Sequence, residues 1–227
     1  MATDPTLESI QVGKPRTISG AKPWVTGFLK DAVEGPVWLD TENLDGDGQA
    51  DMDHHGGPHK AVCVYSASHY PEWRTRLNLP ELPWGSFGEN FTVGELTEQD
   101  VCIGDVWSVG GAVVEVSQPR QPCWKLARRW DIKDLALQVQ NTGRTGWYFR
   151  VLTQGVVSSG MPLVLVNRCW ERWTVAEANR VMHIDKRDLD AAAQLAAIPQ
   201  LSPSWKATLR KRMDHDEPPD ESKRLGN

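Results

Sequence analysis

Over its first two-thirds the chain is a succession of short runs of β-branched, aliphatic and aromatic residues, at positions 8–12, 36–39, 61–65, 101–109, 112–117, 147–152 and 162–167. Period-two alternation, as in Val114 and Val116 against Val113, Glu115 and Ser117, marks strands with one buried face. Turn formers separate the runs at Gly46-Asp47-Gly48, Gly56-Gly57-Pro58 and Gly110-Gly111. Many short strands at this spacing make the fold mainly β and predict a closed or nearly closed β-barrel. Two helices interrupt it. One starts within 66–70 and ends near Leu77; the other is capped by Asp131, carries Ile132, Leu135, Ala136 and Val139 on one face, and stops before Asn141-Thr142-Gly143.

Helical signals take over after Trp170. Thr174-Val175-Ala176-Glu177 is a capping-box pattern opening a helix that runs to about His183. Asp185 is set to cap a second, Ala-rich helix to Ala197, and Ser202-Pro203 puts a cap and an N1 proline before a third over 205–213. Residues 1–169 are therefore expected to form the barrel domain, with its core over 24–167, and 170–214 a three-helix bundle. The polar stretch 215–227 is expected to be a loose tail.

Composition sets the outer limits. With 227 residues, 40% hydrophobic and 24% charged, the chain has a globular composition. No apolar run approaches the ~18 residues of a membrane span. The start, Met1-Ala2-Thr3-Asp4-Pro5, has neither the basic nor the apolar stretch of a secretory signal. A net charge of −5 argues against general nucleic-acid binding. Cys63, Cys102, Cys123 and Cys169 form no close pair, so neither a disulfide framework nor a zinc ribbon is expected. A cytoplasmic protein with free thiols is the expectation, with Cys63 and Cys102 as buried packing residues inside strands.

Three stretches could carry chemistry. Gln118-Pro119-Arg120-Gln121-Pro122-Cys123-Trp124-Lys125 follows a strand directly, and 118–130 holds Arg120, Lys125, Arg128 and Arg129 with no acid. Cations near a thiol favour the thiolate, the form that binds soft metals or attacks electrophiles, and the two prolines stiffen the loop. The alternative is a packing cysteine beside a solvated basic face. In His54-His55-Gly56-Gly57-Pro58-His59-Lys60, adjacent histidines point apart and only Asp51 and Asp53 sit close, which disfavours zinc. Gly56-Gly57 predicts a turn whose N–H groups cradle an anion beside Lys60, or a plain surface turn. Asn141-Thr142-Gly143-Arg144 either brings backbone close to a ligand or simply ends a helix.

Taken in order, these residues resemble the MOSC domain, named for the C-terminal domain of molybdenum-cofactor sulfurases. The resemblance is nearest to the YiiM-type branch, bacterial proteins linked to resistance against 6-N-hydroxylaminopurine. It runs through Leu44-Asp45-Gly46-Asp47-Gly48-Gln49-Ala50-Asp51, His55-Gly56-Gly57-Pro58, Lys60-Ala61-Val62 and Phe87-Gly88-Glu89-Asn90. It continues through Ile103-Gly104-Asp105, Gln118-Pro119-Arg120 with Pro122-Cys123, and Asn141-Thr142-Gly143, so it covers nearly the whole chain. The terminal helices resemble the 3-alpha domain of that branch. Two departures are His59, where the family commonly has Asp, and Asn43, where it usually has Gly.

The resemblance implies a β-barrel that binds the molybdenum cofactor, with Cys123 as the protein ligand to Mo. It implies Arg120, Lys125, Gln118, Asn90 and the backbone at Gly56, Gly57, Asn141 and Gly143 as cofactor contacts. Cys123, His55 and Lys60 become the catalytic residues. The implied activity is reduction of N-hydroxylated compounds, hydroxylaminopurines among them, to amines, with His55 giving the proton because an ordinary imidazole has a pKa near ~6.5. No flavin, haem or iron–sulfur motif is present, so electrons are expected from a separate reductase, a flavoprotein, with no nucleic-acid or membrane partner. A lesser association of the family is with pyridoxal phosphate. Two other readings stay open: a non-catalytic carrier of the cofactor, and a sulfur carrier with a persulfide on Cys123. The basic run Lys206, Arg210, Lys211 and Arg212 reads as a solvated helix face, or else as a docking patch for an acidic electron donor.

Overall fold

The computed structural model describes residues 4–20, 22–215 and 221–226. Its strands are β1 (Leu7–Val12), β2 (Arg16–Ile18), β3 (Trp24–Thr26), β4 (Asp31–Val33), β5 (Val37–Leu39), β6 (Val62–Ser66), β7 (Phe91–Val93), β8 (Val106–Val109), β9 (Ala112–Pro119), β10 (Trp147–Thr153), β11 (Gly155–Val157) and β12 (Leu163–Asn167). Eight of them form one sheet in the order β12-β8-β9-β10-β6-β7-β1-β4. Every pair in it is antiparallel except β6 with β7. The hairpin pair β2–β3 and the pair β5–β11 stand outside it.

The strand spacing predicts a closed or nearly closed barrel, and the fold is mainly β as expected, but the sheet is not a closed one. Its two ends do approach: Leu7 N–H donates to Met161 O at 2.9 Å and Leu163 N–H to Pro5 O at 2.7 Å. A third bond, Gly160 N–H to Leu7 O at 2.7 Å, completes the contact; Pro162 brings no N–H to the ladder and β12 continues along β8. A curled, open sheet results. Strands β2, β3, β4, β7 and β11 have three residues each, too few for alternation to reveal them. The run 101–109 is a strand only from Val106; before it, Gly104 adopts φ 81° and Asp105 Oδ2 accepts from Cys102 N–H at 2.8 Å, making a tight turn.

The helices are α1 (Met52–His55), α2 (Tyr70–Leu77), α3 (Lys125–Trp130), α4 (Leu135–Thr142), α5 (Val175–Asn179), α6 (Leu189–Ala197), α7 (Pro203–His215) and α8 (Ser222–Leu225). Thr174 caps α5 through Glu177 N–H at 3.0 Å, and Ser202 Oγ receives Trp205 N–H at 3.4 Å, as their positions predict. Two other caps differ. Asp131 ends α3 in the left-handed region, φ 55°, and α4 starts after Asp134. Asp188, not Asp185, caps α6, its carboxylate accepting Ala191 N–H at 2.9 Å, because the α5 helix first runs on as a π-type turn over Arg180–Ile184.

The core of the C-terminal helices is continuous with that of the sheet. Val175, Ala178, Leu195, Trp205 and Leu209 belong to one buried apolar cluster with Ile103, Trp107, Val116 and Phe149 of the sheet. Arg212 is 1% exposed and donates to the carbonyls of Val181 at 2.7 Å and Met182 at 2.9 Å, so the basic run of α7 is not a uniformly solvated face. The tail is not loose where it is described. α8 packs Leu225 into a second cluster with Leu126, Leu135 and Val139; residues 216–220 and 227 lie outside the described residues. Among the described residues no helix is long and apolar enough to cross a membrane.

Candidate functional site

Two adjoining cavities meet at Cys123. The inner one, about 50 Å³, is walled by Phe28, Lys30, Cys63, Arg120 and Lys125, and the outer one, about 360 Å³, by Gln118, Trp124, Thr208, Lys223 and Arg224. His55, Lys60, Gln121, Cys123 and Tyr148 line both.

The local sequence explains how the thiol reaches this junction. Strand β9 makes a last backbone contact when Arg120 N–H donates to Gly146 O at 3.0 Å. Pro122 then removes a donor, and the chain turns into α3, with Leu126 N–H on Cys123 O at 3.1 Å. Cys123 is left 7% exposed, looking into the cavities. From the other side, Asp51 caps α1 by accepting His54 N–H at 3.1 Å. The two adjacent imidazoles then diverge: the His54 side chain is 74% exposed, that of His55 only 24%. His55 Nε2 lies 3.4 Å from Cys123 Sγ, and His55 Nδ1 lies 3.3 Å from Lys125 Nζ.

Burial and charge then set the protonation states. Burial pushes the His55 pKa down to about 4, helped by the charges of Lys125 and Lys60 and opposed by Asp51. His55 is therefore neutral near pH 7, and the expectation of an ordinary imidazole acid is corrected. His55 Nδ1 faces both Lys125 Nζ at 3.3 Å and Asp51 Oδ2 at 3.4 Å, a donor and an acceptor, so the neutral ring finds a partner there in either tautomer while Nε2 faces Cys123 Sγ. Burial also lowers Lys60, against the pull of Asp51, and lowers Lys125, against Cys123 and Asp51. Asp51 itself is raised by burial but brought down to about 2 by hydrogen bonds from His54 and the charge of His55.

Arg120 is the most informative cation. It is 4% exposed, and its Nη2 donates to Phe87 O at 2.6 Å, while its Nη1 is buried with no partner among the described residues. Burial works against its charge, yet Cys63, Tyr148, Cys123 and Glu89 around it raise its pKa. No carboxylate is among the described residues lining the inner cavity. Lys30 is already neutralised by Asp47. A soft sulfur, an unspent guanidinium nitrogen and further cations on one concave wall suit an anionic group centred on a sulfur-binding metal.

Other expected contacts are placed differently. Gln118 lines the outer cavity, though Ser204 donates to its Oε1 at 3.3 Å. Asn90 lines the inner cavity with its amide already used on Gln11 O at 3.2 Å, Asp47 Oδ2 at 2.9 Å and Cys63 N–H at 3.1 Å, so it braces the wall. Gly56 and Gly57 line neither cavity, nor do Asn141 and Gly143, which end α4 with Gly143 at φ 71°. A Cβ on Gly57 would meet nothing within 4 Å, so that turn is open to solvent. Among the described residues no three His, Cys, Asp or Glu side chains converge as a metal site. Sequence reasoning missed Gly27, Phe28, Trp124, Lys223 and Arg224. The Lys223-Arg224 pair, basic within an acidic tail, was the available signal.

Comparison with known proteins matches this arrangement. The MOSC domain model matches residues 51–164, and the YiiM-like, 3-alpha helix domain model matches residues 173–216. The uncharacterized protein YflK of Bacillus subtilis (strain 168) is 48% identical over 207 residues, covering 91% of this chain and 93% of that protein. Protein YiiM of Escherichia coli (strain K12) is 38% identical over 220 residues, covering 95% and 96%. The crystal structure of YiiM from Escherichia coli superposes with a TM-score of 0.81 at 34% identity, covering 97% of this chain and 98% of that one. A protein of Gibberella moniliformis named Reductase is 35% identical over 178 residues, 77% of this chain but 31% of the fungal protein.

Proposed function

The chain belongs to the MOSC family, in its YiiM-like branch, and from that premise we propose that it is a molybdenum-cofactor-dependent reductase of N-hydroxylated compounds, with hydroxylaminopurine-type base analogues as substrates. The observation that carries this reading is Cys123 Sγ at the meeting point of the cavities, 3.4 Å from a neutral imidazole, in a cavity also lined by Arg120, whose Nη1 has no partner among the described residues. Cys123 is the ligand we assign to Mo, since a thiolate suits a sulfur-rich metal centre. Arg120 Nη1 and Lys125 Nζ are the donors assigned to the anionic parts of the cofactor. When bound, that group supplies two-electron redox chemistry at the metal.

The reaction takes two electrons and two protons, breaks the N–O bond, and releases amine and water. The residues of the chain handle the protons. Lys60, whose pKa burial lowers, is the donor we assign to the departing oxygen. It is held in place by its hydrogen bond to His54 O at 2.6 Å. His55 stands between Lys125 and Asp51 at Nδ1 and Cys123 Sγ at Nε2, so it links the thiol to the charged groups behind it. Trp124 and Tyr148 line the outer cavity and give it aromatic surface suited to a flat heteroaromatic substrate. Electrons come from a separate flavoprotein in this reading, and the activity is cytoplasmic.

The test is reduction of N-hydroxylaminopurine by protein from a cofactor-competent host, driven by a chemically reduced dye, with Mo content read alongside. Turnover proportional to Mo and abolished by Cys123→Ser is the expected result. Bound Mo with no turnover would replace the reductase by a cofactor carrier. A cyanide-labile gain of about 32 Da on Cys123, one sulfur atom, would replace it by a sulfur carrier.

A further inference from the structure

Residues 221–226 lie beyond both family-model matches, yet Lys223 and Arg224 among them wall the site. α8 is anchored on its far side by Glu221, which accepts from His183 Nδ1 at 2.8 Å, Lys186 Nζ at 2.9 Å and Gln140 Nε2 at 3.1 Å. Arg224 Nη2 adds bonds to Glu221 Oε1 at 2.8 Å and Gln140 Oε1 at 2.6 Å, and Leu225 is buried against α3 and α4. On the near side, Arg224 Nη1 donates to the Pro122 carbonyl, and Trp124 N–H donates to Arg224 O at 2.8 Å. The residues immediately before and after Cys123 are thus both held by one arginine. Gly226 closes over Trp124, where an added Cβ would come within 3.0 Å of the Trp124 Cβ.

A four-residue helix has no stability of its own. Its contacts exist because the cysteine loop and the segment hold each other. The loop needs this help: Pro119 and Pro122 contribute no N–H, so little of its backbone is tied to the sheet after Arg120.

We propose that Arg224 is a positioning residue for Cys123, its guanidinium and carbonyl bracketing the loop so that the thiol stays covered and aimed into the cavities. The role of that thiol as a metal ligand rests on the reading above; the bracket does not.

The experiment uses the full chain purified without cofactor, as wild type, Arg224→Ala and Arg224→Lys. Iodoacetamide labelling is followed at each cysteine by peptide mass spectrometry. Exposed Cys169 gives the reference rate, and buried Cys102 reports opening of the whole fold. Arg224→Ala is expected to raise the Cys123-to-Cys169 rate ratio about tenfold or more with Cys102 still protected, the signature of local opening. Arg224→Lys, which still offers one donor to Pro122 O, restores part of the protection. A ratio within about twofold of wild type, Cys102 labelled in step with Cys123, or equal labelling of the Lys and Ala variants would each overturn the proposal. In loaded protein, Arg224→Ala should retain less Mo per chain and lower kcat more than it changes KM. Absence of any turnover by loaded wild type would remove the reductase reading alone, since the labelling ratio needs no cofactor.

Discussion

Replacing Arg120 by Met asks whether this guanidinium is kept for the fold or for a ligand. Its bond to Phe87 O at 2.6 Å is charge-assisted and contributes about 1.5–3 kcal/mol. Against this stands Nη1, buried and unpartnered among the described residues, at a cost of about 1–3 kcal/mol. Burying the charge itself costs several kcal/mol more before its surroundings compensate. Met is apolar, unbranched and flexible, so it fills the slot without either obligation. The opposing contributions nearly cancel, and the cofactor-free variant should differ from wild type by no more than about 1 kcal/mol, or roughly 2–4 °C in Tm for a chain of this size. The loaded protein behaves otherwise: losing a charge-assisted bond to an anion weakens binding by about 1.5–3 kcal/mol, about 10- to 150-fold in Kd. Calorimetric melts of cofactor-free and loaded protein, side by side with Mo per chain, read both quantities. The rise in Tm on loading should shrink in the variant. A cofactor-free variant destabilised by more than about 3 kcal/mol, with Mo content undiminished, would make Arg120 a strut and refute the reasoning.

Three further outcomes are expected. Arg212→Ala should cost about 3–5 kcal/mol, because it strands the carbonyls of Val181 and Met182 in the core and leaves a cavity; urea midpoints measure it. Cofactor-free protein should lose about 3 kcal/mol between pH 6.5 and pH 4 from His55 alone, since its pKa is about 4 folded against 6.5 unfolded and only the unfolded chain takes up the proton in that window. Stability therefore rises with pH there, and His55→Gln should flatten that part of the profile. Gly27→Ala would put a Cβ 2.0 Å from Gly48 O, and both residues line the inner cavity, so Mo retention should fall steeply; normal retention by elemental analysis would contradict the assignment of that wall.

Five of the site's side chains could be picked out before any coordinates, because each sits in a short string whose chemistry is local. Pro119 and Pro122 directly precede Arg120 and Cys123, Lys125 follows in the same loop, and His55 and Lys60 flank one glycine turn. What those strings did not contain was the other walls. Gly27 and Phe28 follow a three-residue strand that leaves no periodic trace, and Arg224 sits in a polar tail whose composition reads as solvated. Asn141 and Gly143 show the converse: a glycine stop that could approach a ligand only ends a helix.

Residue order alone determined the kinds of element and several of their ends. Strand alternation, the Thr174 and Ser202 caps and the glycine stops act between residues a few positions apart, and such interactions survive any arrangement of the rest. The open edge of the sheet, the neutral state of His55 and the docking of the tail were decided only in three dimensions. His55 owes its proton affinity to burial and to Lys125, 70 positions away, and Arg224 is held by Gln140 and Pro122, 84 and 102 positions away. Desolvation and charge coupling depend on distance through space and on how much water has been excluded, and neither quantity exists until the chain has closed around the site.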